Sequence, residues 1–538
     1  MKKHNIIKVV LITILLFVLL TWIFPAAYFS SSYIEQGRVQ VGLFDLFNYP
    51  MTALSYFGHI ALYVLVIGGF YGIMHKVPAY RAFLDKLANT LKKKGKLSLS
   101  IIMILLAIIT SICGLQIGLM LFFPMLVSVI LLMGYDKMVA ALTLVGSTMI
   151  GMVGSTYAYS NNSISLSVLG LDINSEILTK FIILTLGLIL LIVNTILYIR
   201  KGSTVKVSTK NNSVKTEKIV EEEVVEKKTV EKKAAKKAPA KKTTAKNSKS
   251  SKTTKKTKSS RKDVKAALKD EDVIVVKEVG TEEAYMPSQV KGKYSIWPFV
   301  VLFAILFVIM VLAFIPWADA FNLAWFTDAT KAVSEFELFK FNIFGKILGT
   351  VNAFGTWTTI DLITVLFVIT LLVTVIYKVK FDDIVDGFVN GVKKALPLSI
   401  IIILIYTCLV ITTYHPFQLV IYNVIIGLSK KVDLVCAFTS SLVGLLAGLF
   451  NVESAYAYQS VLPYFTSVIT DTARYPIIDV IFQSMYGFAM LFAPTSVVLM
   501  TVLAYLDISY GKWLKTIWKL LLELLAVLLI IFIILVLL

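Results

Sequence analysis

The sequence predicts an all-α polytopic membrane protein with an internal inverted repeat. Hydrophobic residues make up 57% of its 538 residues, and charged residues make up only 16%. Continuous apolar runs such as "VVLITILLFVLLTWIF" recur, each near the length of about 20 residues that crosses a bilayer core as a helix. A β-barrel would show short segments of alternating hydrophobicity instead, so these runs indicate transmembrane helices.

The placement of Lys and Arg orients the predicted helices, because cytoplasmic loops retain positive charge. With the N-terminus inside, the segments "HKVPAYRAFLDKLANTLKKKGK", "YKVKFDDIVDGFVNGVKK" and "GKWLKTIWK" all face the cytoplasm, and the C-terminus lies outside. No clear small-residue cleavage site ends the first apolar run, so we expect it to be retained as an anchor. The predicted crossings lie at about 6–24, 55–75, 138–160, 174–200, 296–316, 358–379, 396–413, 477–503 and 514–538.

Two further apolar stretches, 97–133 and 434–470, are too long for one crossing and carry polar or glycine residues in the middle. We therefore predict that each is a re-entrant hairpin that returns to its own side of the membrane. An odd number of crossings separates the two hairpins, so they should enter from opposite faces.

Two registers of an internal repeat compete. A shift of 299 residues aligns "LSLSII" with "LPLSII", whereas a shift of 339 aligns "PMLVSVI" with "PYFTSVI" and sets Thr156 on Thr495. The first shift pairs a hairpin with a full crossing, but the second pairs hairpin with hairpin and the following helix with helix. We therefore prefer the shift of 339, which makes the two copies inverted.

Most of the formal net charge of +20 comes from one segment. Residues 227–262 hold 16 Lys or Arg against one Glu and contain no aromatic residue, so they cannot bury enough apolar surface to fold alone. We predict a disordered cytoplasmic linker over 203–292, between a first membrane half at 1–202 and a second at 293–538. Anionic lipid headgroups are its expected partner. A tether for nucleic acid or ribosomes is the alternative, but nucleic acid is not expected to be the main partner.

The sequence shows no pattern typical of a metal site, a disulfide framework or a soluble enzyme. Its three cysteines lie far apart in apolar runs, and its four histidines are scattered. No glycine-rich phosphate-binding motif is present, so ATP is not expected. We predict neither an enzyme nor a cofactor.

Four places interrupt the apolar helices at membrane depth. They are two hairpin tips, "ICGLQIG" (112–118) and "NVESAYAYQ" (451–459), and two helix breaks, "GSTYAYSNN" (154–162) and "MYGFAMLFAPTS" (485–496). An interrupted helix leaves backbone polar groups that lipid cannot satisfy, whereas a solute or a water-filled cavity can. Inverted repeats with broken helices are how many secondary transporters build a midplane site, and helix N-termini aimed at it would favour a carboxylate.

Glu453 in the second tip needs an explanation, because a carboxylate is costly in hydrocarbon. We expect it to face a cavity, where it binds a coupling cation or proton, or a substrate ammonium group. The alternative is that the hairpin lies higher and Glu453 meets outside water. For the remaining candidates, surface turns or backbone capping are the alternatives to binding: Gly114, Gln116, Ser155, Thr156, Ser160, Asn161, Asn162, Asn451, Ser454, Gly487, Thr495 and Ser496.

The stretch "APTSVVLMTVLAYLDISYGKWLK" (493–515) resembles the ending "PTSGVLMA-LA-A-VPYGKWLK" of the YfcC-type carriers, in the anaerobic four-carbon dicarboxylate carrier group of the ion transporter superfamily. The stretches "VIGGFYGIMHKVPAYRAFLDKL" (66–87) and "GYDKMVAALTLVGSTMIGMVGST" (134–156) support the resemblance. It implies two hairpins and two broken helices around a midplane site. It also implies transport of carboxylates, amino acids or small peptides by cation coupling or exchange, and by analogy it allows a homodimer.

The site positions depart from that family. Members carry an acidic pair in the first tip, where this chain has Ile117-Gly118. In the second tip, members have "SGSG", where this chain has "ESAY" starting at Glu453. Their "STINPFN" and "GDGFSN" breaks correspond to 155–161 and 485–490. Because the acidic positions do not match, the solute and the coupling ion stay open. The positions that match are Ser155, Thr156, Asn161, Gly487, Pro494, Thr495 and Ser496.

Together these observations predict a secondary active transporter in a bacterial cell membrane, either a cation-coupled symporter or an exchanger. Its expected solute is small and bears a carboxylate, with an amino acid or short peptide preferred to a dicarboxylate. Na⁺ and H⁺ are the candidate coupling ions. From another class, the alternative is a membrane anchor whose basic linker holds nucleic acid, ribosomes or lipid.

Overall fold

The computed structural model describes residues 3–30, 32–201, 285–288, 292, 294–315, 317–338, 341–349, 351–430 and 433–537. Almost all of the predicted linker therefore lies outside the described residues. Eight described helices are long and apolar enough to cross a membrane. The few described strands form two short antiparallel sheets, so the described part is an all-α membrane protein, as predicted.

The first half starts with a helix and a short sheet, α1 (Lys3–Ile23), β1 (Ala26–Phe29) and β2 (Tyr33–Gly37). A 3₁₀ turn (Gly118–Leu121) precedes α5, and a π-helical turn (Leu142–Gly146) joins α6 to α7. The other helices are α2 (Leu43–Met74), α3 (Pro78–Lys94), α4 (Lys96–Cys113), α5 (Phe123–Leu132), α6 (Lys137–Ala141), α7 (Ser147–Val153), α8 (Tyr159–Leu169) and α9 (Ile177–Arg200).

The second half repeats this order after one additional crossing helix. It opens with α10 (Trp297–Phe314), and a small region with short helices and one sheet precedes its next crossing. That region holds α11 (Trp317–Phe321), α12 (Trp325–Glu335), β3 (Glu337–Leu338), β4 (Phe341–Asn342) and α13 (Ile343–Leu348). The remaining helices are α14 (Thr359–Ile376), α15 (Phe381–Tyr414), α16 (Phe417–Gly427), α17 (Asp433–Phe450), α18 (Ser454–Val468), α19 (Tyr475–Met490), α20 (Val497–Tyr505) and α21 (Tyr510–Leu537).

The two longest helices, α2 and α15, pack against each other along their length and run antiparallel. Phe57 of α2 stacks on Tyr406 of α15 with ring centroids 4.4 Å apart. Just beyond the end of α2, the ammonium of Lys76 lies 3.5 Å from the carboxylate of Asp383, near the start of α15. The Lys76 end of this helix pair is called the linker end below. The opposite end, where the β1–β2 sheet lies, is called the sheet end.

Glycines let the backbones of α2 and α15 approach each other closely, as small residues do in membrane helix pairs. A Cβ built on Gly72 would lie 2.1 Å from the carbonyl oxygen of Gly387, and one on Gly391 would lie 2.0 Å from that of Gly68. Neither position can accept an alanine unless a helix moves. The glycines therefore set the distance between the two helices.

Both helices begin earlier than predicted. The sequence places them at 55–75 and 396–413, but α2 begins at Leu43 and α15 at Phe381. Pro50 and Pro397 lie inside the helices without ending them, because neighbouring helices tolerate a proline interruption at membrane depth. The extra turns of α15 carry charged residues, which apolar runs alone do not reveal.

Equivalent elements of the two halves lie 339 residues apart, as the second register predicts. Adding 339 to the bounds of α2 gives 382 and 413, against the observed bounds of 381 and 414 for α15. The same shift carries α4 onto α17 and the α6–α7 segment onto α19. Because the equivalent helices α2 and α15 are antiparallel, the halves are inverted, and the predicted inverted repeat is confirmed.

The first hairpin enters and leaves at the linker end. It descends as α4 and returns through the 3₁₀ turn and α5. On α2, the Tyr63 hydroxyl donates to the carbonyl of Gly118 at 2.9 Å, and the Tyr71 hydroxyl donates to that of Leu121 at 2.8 Å. The chain therefore moves back along α2 toward Lys76 after the tip.

The second hairpin, α17 and α18, enters and leaves at the sheet end. Its tip lies at Tyr406 of α15, whose hydroxyl donates to the carboxylate of Glu453. Farther along α18, the Tyr456 hydroxyl is 3.4 Å from the carbonyl oxygen of Thr412, and the Tyr464 ring packs against β1. The two hairpins therefore enter from opposite ends, as predicted.

Candidate solute-binding site

The first helix break covers 154–158, between α7 and α8, and is shorter than the predicted 154–162. Ser111, near the end of α4, closes it. The Ser111 hydroxyl donates to the carbonyl of Gly154 at 2.7 Å and lies 3.0 Å from the hydroxyl oxygen of Thr156. The Ser111 carbonyl accepts from the backbone N–H of Thr156 at 2.9 Å.

The polar residues around this break divide between the break and the first turn of α8. Ser155 and Thr156 lie in the break, whereas Ser160, Asn161 and Asn162 lie in the first turn of α8. The side chain of Ser160 lies outside the described residues. The Asn162 amide donates to the carbonyl of Thr156 at 3.1 Å, so this residue caps the break.

The second break covers 491–496 and is also shorter than predicted, because Met485–Met490 stay helical in α19. Gly487 therefore lies outside the break. A Cβ at Gly487 would be 2.5 Å from the backbone nitrogen of Val153, so the glycine lets α19 pack directly on the end of α7. The sequence pattern of small residues cannot distinguish this packing from a break.

The two breaks are held by equivalent threonines. In the second half the Thr495 hydroxyl donates to the carbonyl oxygens of Gly448 and Leu449, at 3.0 and 3.2 Å. In the first half the Thr156 hydroxyl lies 3.3 Å from the carbonyl oxygen of Ser111. Each threonine therefore holds the first arm of its own hairpin, as the register that sets Thr156 on Thr495 implies.

Side chains from other helices satisfy much of the backbone that the breaks expose. The Gln483 amide of α19 donates to the carbonyl of Ser155 at 2.5 Å, and the Trp513 indole of α21 donates to that of Leu491 at 2.9 Å. These carbonyls are therefore paired within the protein. The expectation that the breaks leave their backbone groups for a solute is wrong at these positions, because other helices bring donors from far along the sequence.

Among the described side chains near the tips and breaks, two amide oxygens have no hydrogen-bond partner. They are the amide oxygens of Asn161, in the first turn of α8, and Asn451, in the second tip, and both residues are buried. A buried acceptor without a donor costs free energy. These oxygens are therefore suitable ligands for an ammonium group or a small cation.

Glu453 lies at membrane depth rather than at the sheet end. Its partner Tyr406 is eight residues before the end of α15 at Tyr414, which corresponds to about 12 Å along the helix. As whole residues, Glu453 and the neighbouring Ser454 are each partly exposed. In the first tip, Gly114 adopts a left-handed backbone conformation with φ of 68° and ends α4, and Gln116 is partly exposed.

The structure brings the Ser496 hydroxyl within 3.9 Å of the sulfur of Met149 on α7, so the second break packs against the helix that leads to the first. The two tips lie close along α2. Tyr63 of α2 binds Gly118 of the first tip, whereas Phe57 of α2 stacks on Tyr406, which binds Glu453 of the second tip. Phe57 and Tyr63 are about 9 Å apart along the axis of α2. Within the described part of the chain, no hydrogen bond joins Gln116 directly to Glu453.

A buried ion pair at the sheet end has no counterpart among the predicted site residues. The Lys180 ammonium of α9 lies 3.2 Å from the Asp479 carboxylate of α19, and both side chains are 2% exposed. The Ser165 hydroxyl of α8 donates to the other carboxylate oxygen at 2.5 Å. A lysine inside the apolar run "ILTKFIILTL" is the sequence signal that could have identified this cluster.

A cavity of about 480 Å³ opens at the linker end, between the α2–α15 pair, the first hairpin and α20. Burial and the nearby ammonium of Lys394 lower the pKa of His75, just beyond α2, to about 4, so this histidine is neutral at physiological pH. The cations of the cavity are therefore lysines. The residues that line it are Val64, Ile67, Gly68, Tyr71, Gly72, His75, Lys76, Met120, Phe123, Pro124, Met286, Pro287, Ser288, Gly387, Asn390, Gly391, Lys394, Ala395, Leu398, Thr501, Val502 and Tyr505.

The segment Tyr285–Ser288 borders this cavity through Met286, Pro287 and Ser288. The Ser128 hydroxyl donates to the carbonyl of Tyr285 at 2.6 Å, and the Tyr285 hydroxyl donates to that of Tyr505 at 2.7 Å. The Arg81 guanidinium donates to the Pro287 carbonyl at 2.9 Å. These bonds attach the segment to the first hairpin, α20 and α3.

Comparison with known proteins identifies the family of the chain. The family model for the C4-dicarboxylate anaerobic carriers, DcuC, matches residues 4–241 and 264–538. The chain belongs to this family of carriers. It is therefore a membrane transporter rather than an enzyme. No curated protein matches this carrier in sequence.

Among solved structures, the carrier is similar to the YdaH transporter of Alcanivorax borkumensis, whose crystal structure is described as having an unusual topology. The identity is 11%, the TM-score is 0.39, and the match covers 99% of this chain and 97% of the other.

Proposed function

We propose that this carrier moves a small solute with both a carboxylate and an ammonium group, an amino acid or short peptide, by secondary active transport. The observation that carries the proposal is Glu453, a partly exposed residue at membrane depth whose carboxylate accepts a hydrogen bond from Tyr406 at the second tip. It attracts an ammonium group and repels a second carboxylate, so it selects a zwitterion over a dianion.

The unpartnered oxygens of Asn161 and Asn451 support this proposal, because both are acceptors that an ammonium group or a coupling Na⁺ needs. Ser155, Thr156, Thr495 and Ser496 contribute polar groups at the two breaks. Glu453 is also the group through which H⁺ or Na⁺ coupling would act.

The cavity at the linker end supports alternating access. It extends from Lys76 to Val64, which is next to Tyr63, the residue that binds the first tip. The two breaks, by contrast, are closed by contacts within the protein. Lys92, Lys93 and Lys94 end α3 at this same end, and because cytoplasmic segments retain positive charge, these lysines support a cytoplasmic location for the linker end. In this proposal the structure is open toward the cytoplasm.

A dicarboxylate is the second candidate solute. The match to the C4-dicarboxylate carrier family favours it, and so do the lysines of the cavity. Glu453 is the feature that separates the two candidates, because its charge acts oppositely on the second functional group of an amino acid and of a dicarboxylate.

Uptake in proteoliposomes tests the proposal, with labelled alanine and succinate as the two probes. For a zwitterion carrier, Glu453→Gln should reduce alanine uptake at least tenfold, while the exposed Glu335→Gln variant on α12 serves as the matched control. A carrier of dicarboxylates should instead keep or increase succinate uptake in Glu453→Gln. Unchanged uptake of both solutes would remove Glu453 from the mechanism.

The membrane-anchor alternative is tested by deleting 206–281. A carrier should keep most of its uptake after this deletion, because the tips and breaks lie in the two membrane halves. An anchor should lose its lipid, ribosome or nucleic-acid partner and show no solute uptake in either form.

A further inference from the structure

We propose that the cavity at the linker end is itself a carboxylate-binding site, separate from the tips, where a solute is held before or after it passes them. The inference rests on the proposed function for the class of its ligand. Its geometry stands independently, because the cavity lies on the α2–α15 pair and none of the tip residues Gln116, Asn451 or Glu453 lines it.

The size and walls of the cavity suit a small organic acid. Its volume of about 480 Å³ falls within the range of about 300–1,000 Å³ that is typical of small-molecule sites. Met120 and Phe123 line it with apolar side chains, and Gly68 and Gly391 of the α2–α15 pair also border it. Such a site can cover the carbon chain of a solute while polar groups bind its ends.

The charge of the cavity favours an anion. Lys76 and Lys394 line it, and Lys76 is paired with Asp383 at 3.5 Å, with both side chains well exposed. Among the described residues, no carboxylate lies within 4 Å of the Lys394 ammonium. Lys394 is therefore the cation that a bound carboxylate would meet.

A second, independent observation points to a ligand. The hydroxyl oxygen of Thr501 on α20 has no hydrogen-bond partner although the side chain is only 1% exposed, and Thr501 lines the cavity. A buried hydroxyl without a partner is costly, and a carboxylate oxygen can accept its hydrogen bond. Lys394 and Thr501 lie on α15 and α20, so they can bind a solute from two sides.

Protection of an introduced cysteine tests this site directly. Ser288 is exposed at the rim, so Ser288→Cys in the full-length protein should react with a membrane-impermeant maleimide in inside-out vesicles. The parent chain, which retains Cys113, Cys408 and Cys436, gives the background. We expect succinate or glutamate to slow the labelling several-fold.

The neighbouring lysines of α15 provide a matched pair of variants. In the Ser288→Cys protein, Lys394→Gln should raise the half-protecting concentration of succinate about tenfold, as loss of one charge-assisted hydrogen bond predicts. Lys393→Gln, one residue away and outside the cavity lining, should leave it within twofold. Thr501→Val, which keeps the shape of the side chain, should raise it several-fold and provides a second test that preserves charge.

The outcomes separate this inference from the proposed function. Absence of protection at solute concentrations that saturate uptake would overturn the carboxylate site while leaving transport intact. Protection that persists in both Lys394→Gln and Thr501→Val would also overturn it. Protection by inorganic phosphate or by anionic lipid, but not by succinate or glutamate, would assign the cavity to phosphate instead. Protection without any uptake would support the site and contradict the proposed function.

Discussion

The two inverted halves repeat the backbone architecture but not the polar chemistry. Thr156 and Thr495 hold the first arms of their hairpins in the same way. At the same shift of 339, however, Asp479 corresponds to Ala140 and Ser165 corresponds to Ala504, and both alanines are buried. The fold can therefore be built at one end without the ion pair that is buried at the other.

The tips differ in the same manner. Glu453 has no acidic equivalent, because a shift of 339 sets it on Gly114 of the first tip. Residues that the two halves share maintain the fold, whereas residues present in only one half distinguish the two ends. The comparison teaches that the differences between the copies are the best guide to function.

The largest expected effect concerns the buried ion pair. Lys180→Met leaves the buried Asp479 carboxylate with the Ser165 hydroxyl but without a cation, and it should cost about 3–5 kcal/mol of folding free energy. The equivalent variant Lys519→Met removes a half-exposed partner of Glu523 and should cost less than about 1 kcal/mol. Thermal and denaturant unfolding of the purified variants measures the loss of stability in each. Equal losses in Lys180→Met and Lys519→Met would contradict the difference proposed between the two halves.

The double variant Lys180→Met/Asp479→Leu should recover most of the stability that Lys180→Met loses. An apolar pair of similar volume often replaces a buried ion pair with little net cost, and Ala140 shows that the other half needs no carboxylate. Uptake should be measured in the same preparation. Recovered stability without recovered uptake would show that the pair has a transport role.

The shared threonines should give matched, intermediate effects. Thr156→Val and Thr495→Val each remove a buried hydroxyl that binds the first arm of a hairpin, and each should destabilise by about 1–3 kcal/mol. Unfolding measurements on both variants, with Thr90→Val on the exposed face of α3 as the control, test this. A large effect of only one threonine would limit the structural equivalence of the breaks.

The smallest expected effect is that of His75. The pKa of the His75 imidazole is about 4, so the ring binds a proton only below that pH and is neutral from pH 5 to pH 8. The variant His75→Gln should therefore leave the pH profile of uptake unchanged over this range. A shift of the profile would show that this end of the cavity titrates during transport.

Much of the fold could be predicted from the sequence, because hydrocarbon imposes simple rules on length and polarity. The crossing helices, the two hairpins and the 339-residue register all follow from apolar runs interrupted by polar residues or glycine. The helix starts at Leu43 and Phe381 could not be predicted in this way, since prolines and charges inside α2 and α15 imitate helix ends. The segment 203–292 falls mainly outside the described residues.

The candidate site was predicted less completely. Glu453, Thr156 and Thr495 stand out in the sequence because they are polar within apolar stretches. Gln483 and Trp513, which satisfy the carbonyls of the breaks, come from helices far along the chain. Local sequence patterns contain no information about such partners, so the breaks were expected to be more open than they are.

The sequence by itself determined that this chain is a helical membrane protein whose two halves interrupt their helices at corresponding places, because the bilayer penalises every unsatisfied polar group. Only the tertiary structure decided which groups satisfy those interruptions, that Lys180 pairs with Asp479, and that a cavity lined by Lys394 opens at one end. These features depend on contacts between residues hundreds of positions apart, which packing establishes and composition cannot.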